Sequence, residues 1–326
     1  MRRLLVLLVL LRGCLPAFAQ TPPRDPGTVF RVTSELVVVD AQVTDRKTGA
    51  TVGSLGAPDL EVFEDGVRQE IVSFSRDKLP LSIVFLFDLT DSVQPVLVPL
   101  AQGAAEALRH FKPEDEIAVM VYQEKAKLLQ DFTTDRELAV EAIRKAGRGA
   151  RDSSDNAYFN EGVFQAATQS RHSSNPSSRR VIIWLTDNVP NIPNDRVHTE
   201  QEALREVFES GAVVCALLEF SAMSHTFSML YKHNPMFLGA RSHHPPGDVN
   251  HYAAQSGGIV IKSGREEIAG SLAHLIDEIR SRYSIGYKPS SEQPAGRFCR
   301  IEVRPTRSAE QRLGRMMVRT RSGYYR

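Results

Sequence analysis

The chain lacks the sequence features by which the largest classes of enzymes and nucleic-acid-binding proteins are usually recognised. Its 326 residues include 40 basic and 39 acidic side chains, a formal charge of +1, so the strong basic excess of a dedicated nucleic-acid-binding protein is missing. The sequence contains no phosphate-binding P-loop, no Gly-x-Ser-x-Gly motif and no His-Glu-x-x-His motif, which argues against the hydrolases that these motifs serve. We therefore expect a protein that binds another molecule, with no nucleic acid partner and no enzymatic activity.

Cysteines and long apolar runs are also scarce. After the first 20 residues no stretch reaches the roughly 18 consecutive apolar residues that a membrane-spanning helix requires, so we expect no transmembrane segment. The chain has 3 cysteines, and Cys215 and Cys299 lie in different predicted elements. A disulfide needs the two Cα atoms to lie within about 7 Å of each other. We therefore predict that both are buried free thiols, which behave as small hydrophobic side chains.

The first residues have the pattern of an export signal. Met1-Arg2-Arg3 is a basic start, residues 4–11 are an apolar run, and Ala17-Phe18-Ala19 is a small-x-small cleavage site, so the mature chain is expected to begin at Gln20. The protein is then secreted, or located in the periplasm or cell envelope. An alternative is a lipoprotein anchored at Cys14.

The rest of the chain changes its pattern twice. Alternating apolar residues over 36–45, and a hairpin signal at Asp65-Gly66, indicate a small β unit. Strands and helices then alternate, which is typical of a doubly wound α/β sheet. Because a few isolated strands are marginally stable and domain termini commonly lie close together, we expect both chain ends to pair in one small β-sandwich into which the α/β domain is inserted. The predicted division is a signal peptide at 1–19, a lead-in at 20–33, the N-terminal β unit at 34–77, the α/β domain at 78–282, and C-terminal strands at 283–326.

One buried strand ends in a group of oxygen-bearing side chains. Residues 81–88 form an almost unbroken apolar run that ends at Asp88, and Thr90 and Ser92 follow at alternate positions. Ligands of open α/β sheets bind outside the carboxyl ends of the strands, and a carboxylate with two hydroxyls suits a hard cation such as Mg²⁺. The alternative is a helix N-cap, for which Asp, Thr and Ser are the usual residues.

These residues resemble a von Willebrand factor A (VWA) domain. Asp88-Leu89-Thr90-Asp91-Ser92 is similar to the Asp-x-Ser-x-Ser metal-ion-dependent adhesion site (MIDAS) of that family, and Trp184-Leu185-Thr186-Asp187-Asn188 is similar to its later Leu-Thr-Asp-Gly strand end. The flanks resemble a narrower group, the secreted bacterial "VWFA-related" proteins described from acidobacteria. Residues 59–66 look like the leading sheet of that group, and residues 283–287 and 321–325 look like its closing strands, so the resemblance covers about residues 32–326.

The resemblance implies a metal site built from three loops. Asp88, Thr90, Ser92 and Asp187 match the family's ligands by position and chemistry. The middle loop departs from the family pattern and has Asn156 where relatives have the ligating threonine, so Ser153, Ser154 or Asp155 are alternatives to it. The rim of the site would include Asp91, which replaces a usual glycine, together with Asn188 and Asp155.

The function implied is that of an exported adhesion or binding module. Mg²⁺ or Mn²⁺ at the site would be completed by an Asp or Glu carboxylate of a protein ligand. The alternative is a metal-free structural or assembly protein of the cell envelope with a degenerate site, and a third class is a metal-assisted hydrolase. A phosphatase of the Asp-x-Asp type is disfavoured, because position 90 is Thr and the second carboxylate is missing.

Two further groups of residues have no assigned role. Five histidines lie in the segment 221–251, but without the helical i, i+4 spacing of a zinc site, so a solvated loop is the favoured interpretation and zinc the alternative. They are His225, His233, His243, His244 and His251. Arginines recur along the C-terminal tail, from Arg297 to Arg321. They are interpreted as one solvated face, with an anionic partner as the alternative.

Overall fold

The computed structural model describes residues 36–76, 79–90, 93–149, 158–188, 197–219, 248–290 and 294–326. The strands are β1 (Val37–Asp45), β2 (Leu60–Glu64), β3 (Val67–Gln69), β4 (Ile71–Ser75), β5 (Leu81–Asp88), β6 (Glu116–Tyr122), β7 (Ala126–Thr133), β8 (Arg179–Thr186), β9 (Val213–Glu219), β10 (Val260–Ser263), β11 (Tyr283–Tyr287), β12 (Phe298–Pro305), β13 (Met316–Arg319) and β14 (Gly323–Tyr325). The helices are α1 (Gln94–Ala107), α2 (Arg136–Gly147), α3 (Phe159–Ser170), α4 (Glu200–Ser210), α5 (Val249–Ser256), α6 (Ile268–Arg280) and α7 (Arg307–Leu313).

The central sheet has, among the described residues, six strands in the order β10-β9-β8-β5-β6-β7. All neighbouring pairs are parallel except β6 and β7, which are antiparallel. The chain leaves β5 toward β6 on one side and later returns to β8 on the other side, so the strand order reverses between β5 and β8. The predicted α/β class with a doubly wound central sheet is confirmed, and the reversal point is where ligands of such sheets bind.

Both faces of this sheet are covered, which explains the apolar run of β5. All eight residues of β5 are buried. Ile83, Phe85 and Phe87 belong to the hydrophobic core on one face, with residues of α1, α2 and α6. Val84 and Leu86 belong to the core on the opposite face, with residues of α3, α4 and α5. A strand buried on both faces needs no polar alternation, so the polar Asp88 at its end requires a separate explanation.

The chain-end strands form two further sheets, which among the described residues have the orders β13-β1-β11-β4 and β14-β12-β2-β3. β1 pairs with β11 and β13, and β2 pairs with β12. Apolar residues of both sheets share one core that includes Val39, Val62 and Ile285. Strands from both ends of the chain therefore lie together in each sheet, whereas the domain boundaries at 34–77, 78–282 and 283–326 remain predictions.

Three details refine the expectations from sequence. The segment that follows the predicted Asp65-Gly66 hairpin is divided at Glu70 into β3 and β4, which belong to different sheets. The tail contains helix α7, which was not predicted. Cys215 and Cys299 are buried free thiols, as predicted. Among the described residues, no helix combines the length and the apolar character needed to cross a bilayer.

Candidate functional site at the carboxyl ends of β5 and β8

The candidate site lies at the carboxyl edge of the central sheet, where the strand order reverses. Asp88 is the last residue of β5, and Asp187 directly follows the last residue of β8. The two strands are parallel neighbours in a register that pairs Phe87 with Leu185. The carboxyl ends of β5 and β8 therefore lie beside each other at one edge of the sheet.

Asp88 is fully buried and accepts hydrogen bonds at both carboxylate oxygens. Its Oδ1 accepts from the backbone N–H of Thr90 at 2.9 Å and from the Thr90 hydroxyl at 2.7 Å. Its Oδ2 accepts from the Tyr122 hydroxyl at 2.9 Å and from the Thr186 hydroxyl at 2.7 Å. Groups from β6 and β8 thus fix the carboxylate on both sides, in addition to the turn that follows β5.

A second layer of hydrogen bonding orients Tyr122. The indole N–H of Trp184 donates to the Tyr122 hydroxyl at 2.9 Å, and both side chains are fully buried. Their rings pack edge to face at 6.0 Å between centroids. Since a buried indole N–H needs an acceptor, Trp184 fixes the hydroxyl so that its proton points at Asp88.

Burial raises the pKa of Asp88 above its ordinary value, against the opposing effect of the hydrogen bonds from Thr90, Thr186 and Tyr122. Burial, together with the nearby Asp88 carboxylate, also raises the pKa of Tyr122 well above its ordinary value. Tyr122 is therefore a neutral hydrogen-bond donor at physiological pH. A cation near Asp88 would favour the ionised carboxylate over the neutral acid.

The helix-cap interpretation of Asp88 and Thr90 is not supported. The N-cap residue of α1 is Val93, which has no side-chain cap. Thr90 is buried and contributes its carbonyl oxygen, which accepts from the N–H groups of Val93 and Gln94. The carboxylate of Asp88 therefore stabilises the turn after β5 and is not the cap of α1.

The end of β8 is tied to the start of α5. Asn188 adopts a left-handed backbone with φ of 55°, a conformation that asparagine tolerates better than most residues. Its N–H donates to the Thr186 hydroxyl at 3.1 Å, and its side-chain oxygen accepts from the N–H of Val249 at 3.3 Å. Asp187, between Thr186 and Asn188, is half-buried.

Four of the predicted site residues lie outside the described part of the chain: Ser92, Asp91, Asn156 and Asp155. Of the five predicted histidines, only His251 lies in the described part of the chain. Its Nε2 lies 4.0 Å from Glu200 Oε1. Within the described residues, no three His, Cys, Asp or Glu side chains converge in a way that could bind a metal ion.

The chemistry of the described donors fits such a cation. Mg²⁺ prefers oxygen ligands and keeps several waters. The Thr90 hydroxyl donates its proton to Asp88, which is compatible with its oxygen acting at the same time as a ligand. Asp88 already accepts four hydrogen bonds, so it is suited to orienting hydroxyl and water ligands rather than to direct bidentate coordination.

Tyr122 and Trp184 were not predicted as site residues. Trp184 lies in the quoted strand-end motif, but its role depends on the hydroxyl of Tyr122, 62 positions away in the sequence. The sequence did contain a signal for their role. Tyr122 and Trp184 are aromatic residues with a polar group, and they lie at or near the carboxyl ends of otherwise apolar strands. Such residues need a buried hydrogen-bond partner, and Asp88 was the available acceptor.

The sequence of residues 83–189, about a third of the chain, matches the family described as the von Willebrand factor type A domain. This part of the chain is a VWA domain. The match includes Asp88, Thr90 and Asp187 and ends just after Asn188. A search of curated proteins finds no match to the chain.

Solved structures similar to the chain are known from animals and bacteria. One is proximal thread matrix protein 1 of the mussel byssus with a zinc-occupied MIDAS motif, at 12% identity over 68% of this chain and 50% of that chain, with a TM-score of 0.43. Another is the conserved hypothetical protein BatB from Bacteroides thetaiotaomicron, at 15% identity over 61% of this chain and 97% of that chain, with a TM-score of 0.44. A third is a von Willebrand factor type A protein from Catenulispora acidiphila, at 12% identity over 85% of this chain and 71% of that chain, with a TM-score of 0.43. The chain spans about half the length of the mussel protein.

Proposed function

We propose that the VWA domain binds a protein ligand through a divalent cation at the carboxyl ends of β5 and β8. The observation that carries this proposal is the position of Asp88. A fully buried carboxylate ends the central strand of a doubly wound sheet, is oriented by hydroxyl groups from three strand ends or turns, and lies beside the strand end that bears Asp187. This is the place and the chemistry that a cation-dependent binding site requires.

The residues that would bind the ion are Asp88, Thr90, Ser92 and Asp187, with Asn156 from the middle loop. Mg²⁺ or Mn²⁺ is the proposed ion, because all five side chains offer hard oxygen atoms. When bound, the cation supplies an open coordination position for an Asp or Glu carboxylate of the ligand. Asp91, Asn188 and Asp155 would form the rim that the ligand meets.

We propose that Asp91 makes this site differ from one with the usual glycine at that position. A carboxylate at the rim adds negative potential, which favours capture of a cation and disfavours approach of an acidic ligand. We therefore propose that this site binds its ion more tightly, and its acidic ligand more weakly, than it would with glycine at position 91.

We also propose that the protein acts outside the cytoplasm. The support is the export pattern of residues 1–19 and the resemblance of the flanking strands to the secreted "VWFA-related" proteins.

The test measures the melting temperature of the full mature chain with and without millimolar Mg²⁺ or Mn²⁺. Ion binding to the native state alone stabilises it by about 2.7 kcal/mol at a hundredfold excess over the dissociation constant. We expect a rise for the wild type, a smaller rise for Asp91→Gly, and none for Asp88→Asn or Asp187→Asn. The matched control is Asp277→Asn, an exposed aspartate on α6, which should respond like the wild type.

A second candidate function is a metal-free structural or assembly protein, and one observation favours it. Four hydrogen bonds from groups of the protein reach the Asp88 carboxylate, and hydrogen bonds of this kind stabilise an ionised carboxylate without requiring an ion. A melting temperature that does not respond to either cation, in the wild type as in Asp88→Asn, would support this candidate and reject the cation-dependent one.

A further inference from the structure

A second cavity lies at the opposite edge of the central sheet from Asp88. It has a volume of about 380 Å³ and is bounded by the amino ends of β8 and β9, the C-terminal ends of α4 and α5, and residues of β1 and β11. Its polar lining includes Asp40, Arg179, Arg180, Arg321, Ser177 and Ser284. Small-molecule sites commonly have volumes of about 300–1,000 Å³, so the cavity is large enough for a small molecule and not only for a single ion.

Asp40, the acidic residue among the described residues that line the cavity, is already engaged. Arg179 donates from Nε to Asp40 Oδ2 at 2.8 Å and from Nη2 to Asp40 Oδ1 at 3.1 Å. The Ser284 hydroxyl also donates to Asp40 Oδ1, at 2.9 Å. This bidentate pair is close to neutral, so Asp40 has little capacity left to balance further positive charge.

Two other arginines line the same cavity, and neither forms an ion pair with a carboxylate of the described residues. Arg180 donates only to neutral oxygens, those of the Ser173 hydroxyl at 3.3 Å and the Ser210 carbonyl at 2.9 Å. Arg321 is half-buried, and none of the hydrogen bonds or ion pairs within the described residues involves its guanidinium. Burial lowers the pKa of Arg321, against the opposing effect of the Asp40 carboxylate.

A third arginine, Arg282, lies two positions before the lining residue Ser284 in the sequence. Arg282 is fully buried and donates from Nη2 to the Gly257 carbonyl at 2.8 Å. Its Nε and Nη1 make no hydrogen bond within the described part of the chain. Asp40 and Glu278 interact favourably with Arg282, but neither forms an ion pair with it within 4.0 Å among the described residues. Among the described residues of this region, arginines therefore outnumber carboxylates.

Such an excess is costly unless a counter-charge is supplied. Removing a charge from water without a partner raises the free energy of the folded state, and an anion seated between Arg180 and Arg321 would offset that cost. The planar fork of a guanidinium matches the paired oxygens of a carboxylate or a phosphate. The Ser177 hydroxyl, which makes no hydrogen bond to the described residues, offers a further donor.

We propose that this cavity binds a small ligand through an oxyanion group, which Arg180 and Arg321 recognise. The site is separate from the cation site at the carboxyl edge and shares no residue with it. In this proposal Arg321 recognises a ligand, whereas the sequence alone predicted that the C-terminal arginines form a solvated face.

The experiment measures anion binding to the full mature chain by calorimetry and by melting temperature. The probes are inorganic phosphate, sulfate and acetate, each compared with chloride at the same ionic strength, because added salt alone screens charges. We expect at least one oxyanion to raise the melting temperature above that in chloride. Preference for phosphate or sulfate indicates a tetrahedral oxyanion in the natural ligand, and preference for acetate indicates a carboxylate.

The variants separate a specific site from general charge. Arg321→Gln should weaken binding of the preferred anion by at least about tenfold, which is the loss of affinity expected for one charge-assisted hydrogen bond. Arg321→Lys should retain part of the affinity, because the charge stays and the fork is lost. The matched control Arg315→Gln removes the same charge from an exposed residue outside the cavity lining and should leave binding unchanged. If Arg321→Gln does not fold, Arg180→Gln provides the same comparison.

Two outcomes would overturn the proposal. One is that the wild type binds none of the three oxyanions in preference to chloride. The other is that Arg315→Gln weakens binding as much as the cavity variants do, since the anion would then respond to the overall charge of the tail and not to this cavity.

Discussion

At the scale of single residues, Asp88 shows how a buried carboxylate is made acceptable in an apolar sheet. Four hydrogen bonds reach its two oxygens, and Tyr122 connects it to the Trp184 indole. Each donor is itself fixed by a strand or a tight turn, so the carboxylate has one orientation. A cation arriving at this edge would meet side chains that need little rearrangement, which reduces the entropic cost of binding.

The Tyr122 hydroxyl is expected to contribute measurably to folding stability. Tyr122→Phe leaves the buried indole N–H of Trp184 without its acceptor and removes one donor from Asp88. Since an unsatisfied buried polar group costs about 1–3 kcal/mol, we expect the free energy of unfolding to fall by about that amount. Urea unfolding followed by tryptophan fluorescence measures it, because Trp184 is the single tryptophan of the chain.

The matched control is Tyr325→Phe. The Tyr325 hydroxyl makes no hydrogen bond to the described residues, and its ring contacts, with Phe298, Phe208 and the Arg205 guanidinium, remain in the variant. It should therefore change stability by less than about 0.5 kcal/mol. Equal effects of the two variants would mean that the Tyr122 network contributes nothing specific to the fold.

The residues of this network differ in how far sequence could reveal them. Asp88 and Thr90 follow an apolar strand directly, so their place at the sheet edge is a local property and was predicted. The role of Tyr122 depends on β6 being the parallel neighbour of β5 with Asp88 opposite Tyr122. That register results from packing over the whole sheet, and no short pattern around Tyr122 encodes it.

At the scale of elements, the contact between β9 and the turn after α5 is unusually close. A Cβ atom on Gly258 would lie 1.8 Å from the Val214 carbonyl oxygen. The Gly258 N–H donates to the Ala253 carbonyl at 2.7 Å, and the Ala216 N–H donates to the Ile259 carbonyl at 2.9 Å. Glycine at 258 therefore allows α5 to end directly against β9, and β10 to begin in register beside it.

Gly258→Ala is expected to separate these elements. The clash is with backbone and no side chain can rotate away, so we expect a loss of at least about 2 kcal/mol in the free energy of unfolding, as for other overpacked sites. The matched control is Gly270→Ala on α6, where nothing lies within 4 Å of the added Cβ. It should stabilise the protein by about 0.5–1 kcal/mol through helix propensity. Both are measured by urea unfolding, and a neutral Gly258→Ala would contradict the close packing.

The elements themselves were predictable where a local pattern determines them. β5 and β8 are apolar runs that could only be buried strands, and both were predicted. The division between β3 and β4 was not, because Gln69 pairs with Val62 in one sheet and Ile71 pairs with Tyr287 in the other, a choice made by distant partners. Helix α7 did carry a local signal, the Thr306 side chain that caps it, but the tail was predicted to consist of strands.

At the scale of the whole molecule, one ion pair joins the central sheet to the sheet built from the chain ends. Arg179 starts β8, and Asp40 lies in the middle of β1. The Arg179 guanidinium also donates to the Ile279 carbonyl at 2.9 Å and to the Ser284 hydroxyl at 3.2 Å. A single side chain therefore contacts the end of α6 and strands β1 and β11, so the layers are linked by a group with few alternative positions.

Asp40→Asn is expected to weaken this link and to make it independent of pH. The side chain of Arg179 is 1% exposed and that of Asp40 is 23% exposed, and removing one partner of a buried pair leaves an uncompensated charge. Because asparagine can still accept a hydrogen bond, we expect a loss of about 2–4 kcal/mol at pH 7, near the lower end of the cost of breaking a buried pair. The control is Glu302→Gln, which breaks the exposed pair with Arg304 and should cost less than about 1 kcal/mol.

The pH dependence follows from the pKa of Asp40. Burial alone would raise it, but the ion pair and hydrogen bond with Arg179, with help from Arg282 and Ser284, lower it below the ordinary value of 3.8. A carboxyl whose pKa is lowered by folding contributes stability that is fully present above the unfolded pKa and is lost as the pH falls through the folded one. The difference in unfolding free energy between wild type and Asp40→Asn should therefore be constant from pH 7 to about pH 5 and should narrow below about pH 4. Urea unfolding at pH 7, 5 and 3.5 measures it, and a difference that stays constant down to pH 3.5 would mean that Asp40 titrates alike in the folded and unfolded chain and that the pair does not join the layers.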